Sequence, residues 1–344
     1  MRVLVVANLT PFLRGGADAH IQGLTTACRE AGYDVECLRL PFAFSPADEV
    51  RRAMSSAGGL ELSAPSGQSI DILISLQFPA YGVAHPNHRV WVMHQHRAAY
   101  DLFEAKPSGD DMTILRADIE SFDQEHLGAA SRRNRLFANS KTVAQRLARF
   151  NGLQATHLYH PPPDCQHFFT KDAQNYVFYP SRFESLKRQL LLIEAARFLQ
   201  SPITLVLAGE GGQFIAARRR IEVLQVGDRV KLLGAISTSE KIVWYAHALA
   251  VCYPTQDEDY GYVTLESMCA GKPTIICQDG GGPTEFIQHN ETGLVVAPEP
   301  QALAEAIDSL YANRARAAEM GSAARSNWDQ RGITWPSVLE TLMK

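Results

Sequence analysis

Short β-branched runs alternate with helical patterns along the whole chain, the signature of parallel sheets covered by helices. In the first half this pattern predicts strands at 2–7, 35–40, 70–76, 89–93, 135–138 and 156–159. A helix over 17–32 sets Ile21, Leu24 and Cys28 on one side and stops at Gly32. Asn139-Ser140 reads as an N-cap opening a helix over 141–150, with Val143, Leu147 and Phe150 on one side. Residues 63–69 and 107–111 read as loops. Pro161-Pro162-Pro163-Asp164 is the strongest punctuation: three prolines continue neither a helix nor a central strand, so an interdomain linker is placed there. The alternation then restarts, with strands at 176–180, 203–208, 230–233, 249–253, 273–277 and 293–296, each followed by a helix. A final helical region, 300–344, is interrupted near Gly332 and Pro336. The pattern predicts two doubly wound α/β domains in tandem.

Ligands of such sheets bind outside the carboxyl ends of the strands, and two facing sheets would put those ends in a cleft between the domains. The loops to read closely therefore follow Ala7, Met93, Tyr179, Leu207, Tyr253 and Ile276.

Composition narrows the class. The 344 residues, 46% hydrophobic and 20% charged, leave room for about two domains, each able to bury a core without disulfides or metals. Acidic groups number 37 against 33 basic ones, and a net charge of −4 argues against a nucleic-acid partner held by a general basic field. The six cysteines (28, 37, 165, 252, 269, 277) form no Cys-x-x-Cys pair, so reduced thiols and a cytoplasmic location are expected. No run approaches the roughly 18 apolar residues of a membrane span, and the amino-terminal apolar run is too short for a signal peptide.

The loop after the fourth strand of the second half carries the most chemistry. Glu258 and Glu266 stand eight apart across Tyr260-Gly261, with Glu266 on the first turn of a helix over 263–269. Backbone N–H groups at such a helix start suit a phosphate, and flanking carboxylates accept hydrogen bonds from vicinal hydroxyls. The alternative is a helix-capping Glu266 and a solvated Glu258. In the loop after 176–180, Arg182 and Lys187 offer a fork and a point charge for a diphosphate, against the alternative of a solvated pair. Gly209-Glu210-Gly211-Gly212 and Gly280-Gly281-Gly282-Pro283-Thr284-Glu285 follow two further strands, and their glycines admit close backbone approach to a ligand.

With these residues the chain resembles the retaining family-four glycosyltransferases of GT-B architecture. The resemblance rests on Glu-x7-Glu (Glu258, Glu266), Ser-Arg-x4-Lys (Ser181, Arg182, Lys187), Ala208-Gly209-Glu210-Gly211, Lys231-Leu-Leu-Gly234, Gly-Gly-x-x-Glu (Gly281, Gly282, Glu285) and Asn290-Glu-Thr-Gly293. In the first half it covers Arg14-Gly15-Gly16-Ala17-Asp18, Ala138-Asn139-Ser140-Lys141 and Tyr159-His160-Pro161-Pro162. It is strong over 175–300 and weak over 41–130. Asp18 departs from the family's usual Glu.

The resemblance implies two Rossmann-like domains facing a cleft: an acceptor-side domain of 1–163, joined by a carboxyl-terminal helix of about 328–344, and a nucleotide-sugar domain of 164–327. It implies that Glu258 binds donor-sugar hydroxyls and Glu266 the ribose, and that Arg182 and Lys187 neutralise the leaving diphosphate with the N–H groups of Tyr262 and Val263. Gly15, Gly16, Gly209, Glu210, Gly282 and Glu285 would lie against the donor. A histidine at the end of strand 89–93 would touch the donor sugar: His94 first, His96 next. No metal or other cofactor is expected. The expected reaction moves a hexose, from UDP by preference and from GDP-mannose next, to a glycan or lipid-linked acceptor in an α-linkage. Arg132, Arg133 and Arg135 raise a peripheral contact with the inner membrane face, against a plain solvated surface.

Four other readings stand beside this one. They are a sugar-nucleotide epimerase of the same architecture, a non-catalytic nucleotide-sugar-binding subunit, a nicotinamide oxidoreductase built on Gly209-Glu210-Gly211, and a metal site among His85, His88, His94 and His96.

Overall fold

The computed structural model describes residues 1–12, 15–105 and 110–344; Arg14 and residues 107–109 of the expected loop lie outside them. The chain divides into two compact units, Met1–Pro163 with Ile333–Lys344, and Asp164–Gly332.

The first unit is built on six parallel strands: β1 (Arg2–Leu9), β2 (Asp34–Pro41), β3 (Ile72–Ser75), β4 (His88–Val92), β5 (Leu136–Ala138) and β6 (Thr156–His157). Their order is β2-β1-β3-β4-β5-β6. Successive residues alternate between two covered faces, which is why these strands read as unbroken apolar runs. Val3, Val5, Ala7 and Ile74 pack with Ile21, Leu24 and Cys28 of the helix Gly16–Glu30. Leu4, Val6 and Leu73 turn the other way, toward Leu62, Ala80 and Val83. The last helix, Trp335–Leu342, returns to this unit and adds Val338, Leu339 and Leu342 to the first face. A Cβ on Gly23 would stand 2.3 Å from Cζ2 of Trp335, so the missing side chain is what lets this helix dock.

Two long helices of this unit lie where none is expected, Ala47–Gly58 and Asp110–Arg132. The second opens on Asp110 and Asp111, which read as loop, and its apolar face is broken by Asp123. That carboxylate is fully buried and accepts hydrogen bonds from Tyr81 (2.5 Å) and Tyr100 (2.7 Å). A charged residue satisfied inside the core hides the helical stripe from a pattern of hydrophobic positions.

The second unit carries β7 (Tyr176–Pro180), β8 (Thr204–Ala208), β9 (Val230–Leu232), β10 (Ala250–Tyr253), β11 (Thr274–Cys277) and β12 (Gly293–Val296). All pairings are parallel, in the order β12-β11-β10-β7-β8-β9. The chain winds outward from β7 on one side and from β10 on the other, so these neighbours form the topological switch point where doubly wound sheets hold ligands.

One expectation fails here. Cys165 and Cys269 form a disulfide with Cα atoms 5.7 Å apart, so the thiols are not all reduced. The end of the helix Tyr262–Cys269 meets the short turn Cys165–His167 across 104 residues of sequence, a meeting that no local cysteine spacing reveals. Cys28, Cys37, Cys252 and Cys277 are free. Among the described residues, no helix is long and apolar enough to cross a membrane.

Candidate functional site

The loops after β7, β10 and β11 are sewn together by their backbones. Gln256 N–H donates to the Leu186 carbonyl (2.8 Å), Asp257 N–H to the Asp279 carbonyl (2.8 Å), Glu258 N–H to that of Gly280 (3.0 Å), and Gly282 N–H to that of Glu258 (2.7 Å). Only glycine permits this approach. At Gly281, with φ +71°, a Cβ would lie 2.4 Å from the Glu258 carbonyl, and at Gly282 a Cβ would lie 2.7 Å from that of Asp259. Arg188 strengthens the seam from β7 by gripping both Asp279 oxygens, at 2.8 and 2.6 Å.

Within this frame the structure brings Lys187 and Glu258 into a direct ion pair, each side chain 17% exposed. The Lys187 ammonium also donates to the Tyr253 hydroxyl at 3.2 Å, and Tyr179 donates to the Lys187 carbonyl at 2.5 Å. Burial, and then the charge of Glu258, push the Tyr253 phenol well above its usual range, so it stays protonated beside the pair.

Glu266 sits on the helix Tyr262–Cys269 and is buried. Its oxygens accept from Lys241 (2.6 Å) and Tyr245 (2.8 Å). Burial, then Glu266, raise the Tyr245 phenol well above its usual range and keep it a donor. Neither partner is expected from the motifs, yet a signal for them exists: Lys241 and Tyr245 stand four apart on the helix Thr238–His247, and hence on one face. The helix Tyr262–Cys269 begins at Gly261, φ +87°, with no side-chain cap, which leaves its start to backbone donors, as an anion requires. Val263 is buried there and Tyr262 half-buried, its ring edge-on to Tyr260 at 5.6 Å.

Arg182 does not join the pair. Its guanidinium is exposed, without a hydrogen bond or ion pair among the described residues, while its carbonyl accepts from Gln189 at 2.7 Å. Gly209, φ +127°, packs its Cα against the Ser181 carbonyl, and the backbone carbonyl of the exposed Glu210 accepts from the Phe183 N–H at 2.9 Å. Glu285 ends the short turn Gly282–Glu285, and its carbonyl accepts from Arg331 at 3.0 Å.

In the first unit, Gly15 precedes the helix Gly16–Glu30, both glycines are exposed, and the Gly15 N–H donates to Asp18 at 3.3 Å. Asp18 also pairs with Arg39 at 3.0 Å, which gives the shorter acid a structural partner. His94 follows β4, half-buried, with Nδ1 2.8 Å from the Gln95 carbonyl. In the tautomer that suits a carbonyl neighbour, Nδ1 is the donor and Nε2 is left as the acceptor. His96 is buried among Phe42, Phe44 and Phe78, and burial, then His94, lower it to about 4.

The four histidines do not make one cluster. His85 and His88 stand at the amino end of β4, bonded to the Ile70 carbonyl (3.1 Å) and Ser75 (2.7 Å), with His94 and His96 beyond its carboxyl end. Among the described residues no group of three or more His, Cys, Asp or Glu is placed to hold a metal ion. Arg132, Arg133 and Arg135 precede β5, at the sheet edge opposite Gly15 and His94.

Residues 166–327 match the family model described as glycosyl transferases group 1. The GDP-mannose-dependent α-(1-6)-phosphatidylinositol monomannoside mannosyltransferase of Mycobacterium tuberculosis is 31% identical over 173 residues, covering 47% of this chain and 44% of that protein. The D-inositol 3-phosphate glycosyltransferase of Pseudarthrobacter chlorophenolicus is 27% identical over 212 residues, 55% of this chain and 50% of that one. The chain thus spans about half the length of these curated relatives. Among solved structures, sucrose-phosphate synthase of Thermosynechococcus elongatus superposes with a TM-score of 0.76 at 18% identity, covering 100% of this chain and 98% of that one. HepE of Anabaena, solved with UDP-glucose, gives 0.73 at 18%, with the same coverage. The segment 166–327 belongs to the glycosyl transferases of group 1, and the chain has the GT-B fold of two Rossmann-like units.

Proposed function

We propose that this protein transfers a hexose from a nucleoside-diphosphate sugar to a hydroxyl of a glycan or lipid-linked acceptor, retaining the anomeric configuration. The observation that carries the reading is the meeting of Lys187, Glu258 and the uncapped helix start of Glu266 at the switch point between β7 and β10. Lys187, Arg182 and the N–H groups of Tyr262 and Val263 serve the diphosphate, Glu258 the sugar hydroxyls and Glu266 the ribose. These charges do the work a cation does elsewhere, so the reaction is proposed to need no metal.

The way the carboxylates are held supports retention. Inversion needs a general base on the acceptor side. Glu258 is bound to Lys187, and Glu266 to Lys241 and Tyr245, which suits them to holding rather than to proton transfer. The leaving phosphate oxygen then takes the acceptor's proton as the bond from C1 to phosphate breaks and the bond to the acceptor oxygen forms on the same face. An α-linked donor gives an α-glycoside.

UDP-hexose is favoured by the HepE likeness and GDP-mannose by the mycobacterial relative. A thermal-shift screen of UDP, GDP, ADP and their sugars selects the donor. Incubation with the labelled donor then tests the reading: transfer or hydrolysis supports it, an isomerised sugar means an epimerase, and binding alone a non-catalytic subunit. The product's anomeric proton, read by NMR, tests retention, and a β-product from an α-donor refutes it. Flotation with anionic vesicles tests a membrane contact through Arg132, Arg133 and Arg135.

A further inference from the structure

The Lys187–Glu258 pair has a consequence for ligand choice. In the reading above, which this inference rests on, the two side chains serve different parts of one ligand, phosphate for Lys187 and sugar hydroxyls for Glu258. Without ligand they satisfy each other, both largely withdrawn from water. Hydrogen bonds tie the backbone at both positions. Glu258 is fixed on both sides by Gly280 and Gly282, and Lys187 by the Tyr179 hydroxyl on its carbonyl. Side-chain rotation alone decides which partner each one takes.

We infer that Glu258 is an intramolecular competitor for Lys187 that makes the site discriminate an intact sugar nucleotide from the bare nucleoside diphosphate. A bare diphosphate draws the Lys187 charge toward phosphate and leaves the Glu258 carboxylate without a hydroxyl partner, beside added negative charge. A sugar nucleotide supplies both replacements at once. After transfer the sugar is gone, Glu258 recovers Lys187, and the diphosphate loses its principal side-chain cation. The same pair that favours donor binding therefore favours product release.

The test is calorimetric titration of the wild type, Glu258→Gln, Lys187→Met and the double variant with UDP, UDP-glucose, GDP and GDP-mannose. Glu258→Gln keeps size and hydrogen-bonding shape, and its folding is checked by its melting curve. The bare diphosphate is expected to bind Glu258→Gln roughly tenfold more tightly than wild type, the scale of one charge-assisted contact, and the sugar nucleotide no more tightly. In the Lys187→Met background the Gln substitution should tighten bare-diphosphate binding by clearly less, the remainder being relief of the carboxylate's own repulsion. Unchanged or weaker diphosphate binding by Glu258→Gln, or tightening of the same size without Lys187, overturns the inference while leaving the transferase reading intact. A wild type that binds none of the four, nor ADP and its sugars in the thermal-shift screen, overturns both.

Discussion

At the scale of single residues, the proposed site separates side chains assigned to the ligand from side chains that hold those in place. Lys187 is drawn into the protein and Arg182 reaches out from it. Replacing either with Ala should lower transfer by ~10²-fold or more, as expected for lost preorganised charge at a leaving group; near-normal turnover in both variants would refute the diphosphate assignment. EDTA should leave activity in place, and loss restored by Mn²⁺ would count against the charge argument. His94 is assigned to the donor sugar, with Nε2 free to accept. Its replacement by Ala should therefore cost turnover more than nucleotide affinity, and equal losses in both would remove that assignment. The residues proposed to face the ligand stand out in the sequence because charge, glycine and spacing advertise them. Lys241, Tyr245 and Asp279 do not, because each acts through a partner 25, 21 and 91 residues away.

At the scale of elements, backbone geometry limits the site as strongly as charge does. Gly281 combines a left-handed backbone with a carbonyl 2.4 Å from where its Cβ would be, whereas Gly212 has nothing within 4 Å. Gly281→Ala is thus expected to push the Glu258 loop out of register and cut both donor binding and turnover, at a strain cost of about 1–3 kcal/mol. Gly212→Ala should leave both unchanged, and matched kinetics for the two variants would sink the account. The strands were legible because nearly all of them are buried apolar runs closed by glycine, proline or polar residues. Their bounds shift by a residue or two where the ladder, not composition, sets the end: β1 runs on through Asn8 and Leu9 because both pair with β2. The helix Asp110–Arg132 was hidden by Asp123, a core position filled by a charge.

At the scale of the whole molecule, each unit carries a feature that solution measurements can read. In the second, the disulfide closes 104 residues, and loops of that size are worth roughly 4–5 kcal/mol in the chain-entropy account. Four of six thiols should titrate in denaturant without reductant, and Cys165→Ser should lower the melting temperature only in the absence of reductant. The first unit buries histidines. Burial lowers His88 and His160 to about 3, His96 to about 4, and His20 well below the usual 6.5. Folded, these rings stay neutral at pH 5, while the unfolded chain protonates them below about 6.5. The unfolded state then binds more protons, so stability falls as pH drops from about 6.5 toward 4. Asp123 works the other way. Burial lifts it to about 7, so its contribution is full below its ordinary 3.8 and is lost as pH rises through 7. Four histidines against one carboxylic acid leave the net sign with the histidines, and the melting temperature should fall between pH 7.5 and pH 5. His160 stacks on His20 at 3.8 Å and on Trp335 at 5.6 Å, so a phenyl ring can take its place. Calorimetry of His160→Phe should show a smaller fall over the same interval, because one of the four buried rings no longer takes a proton on unfolding. Parallel curves for variant and wild type would mean that the acid sensitivity lies elsewhere.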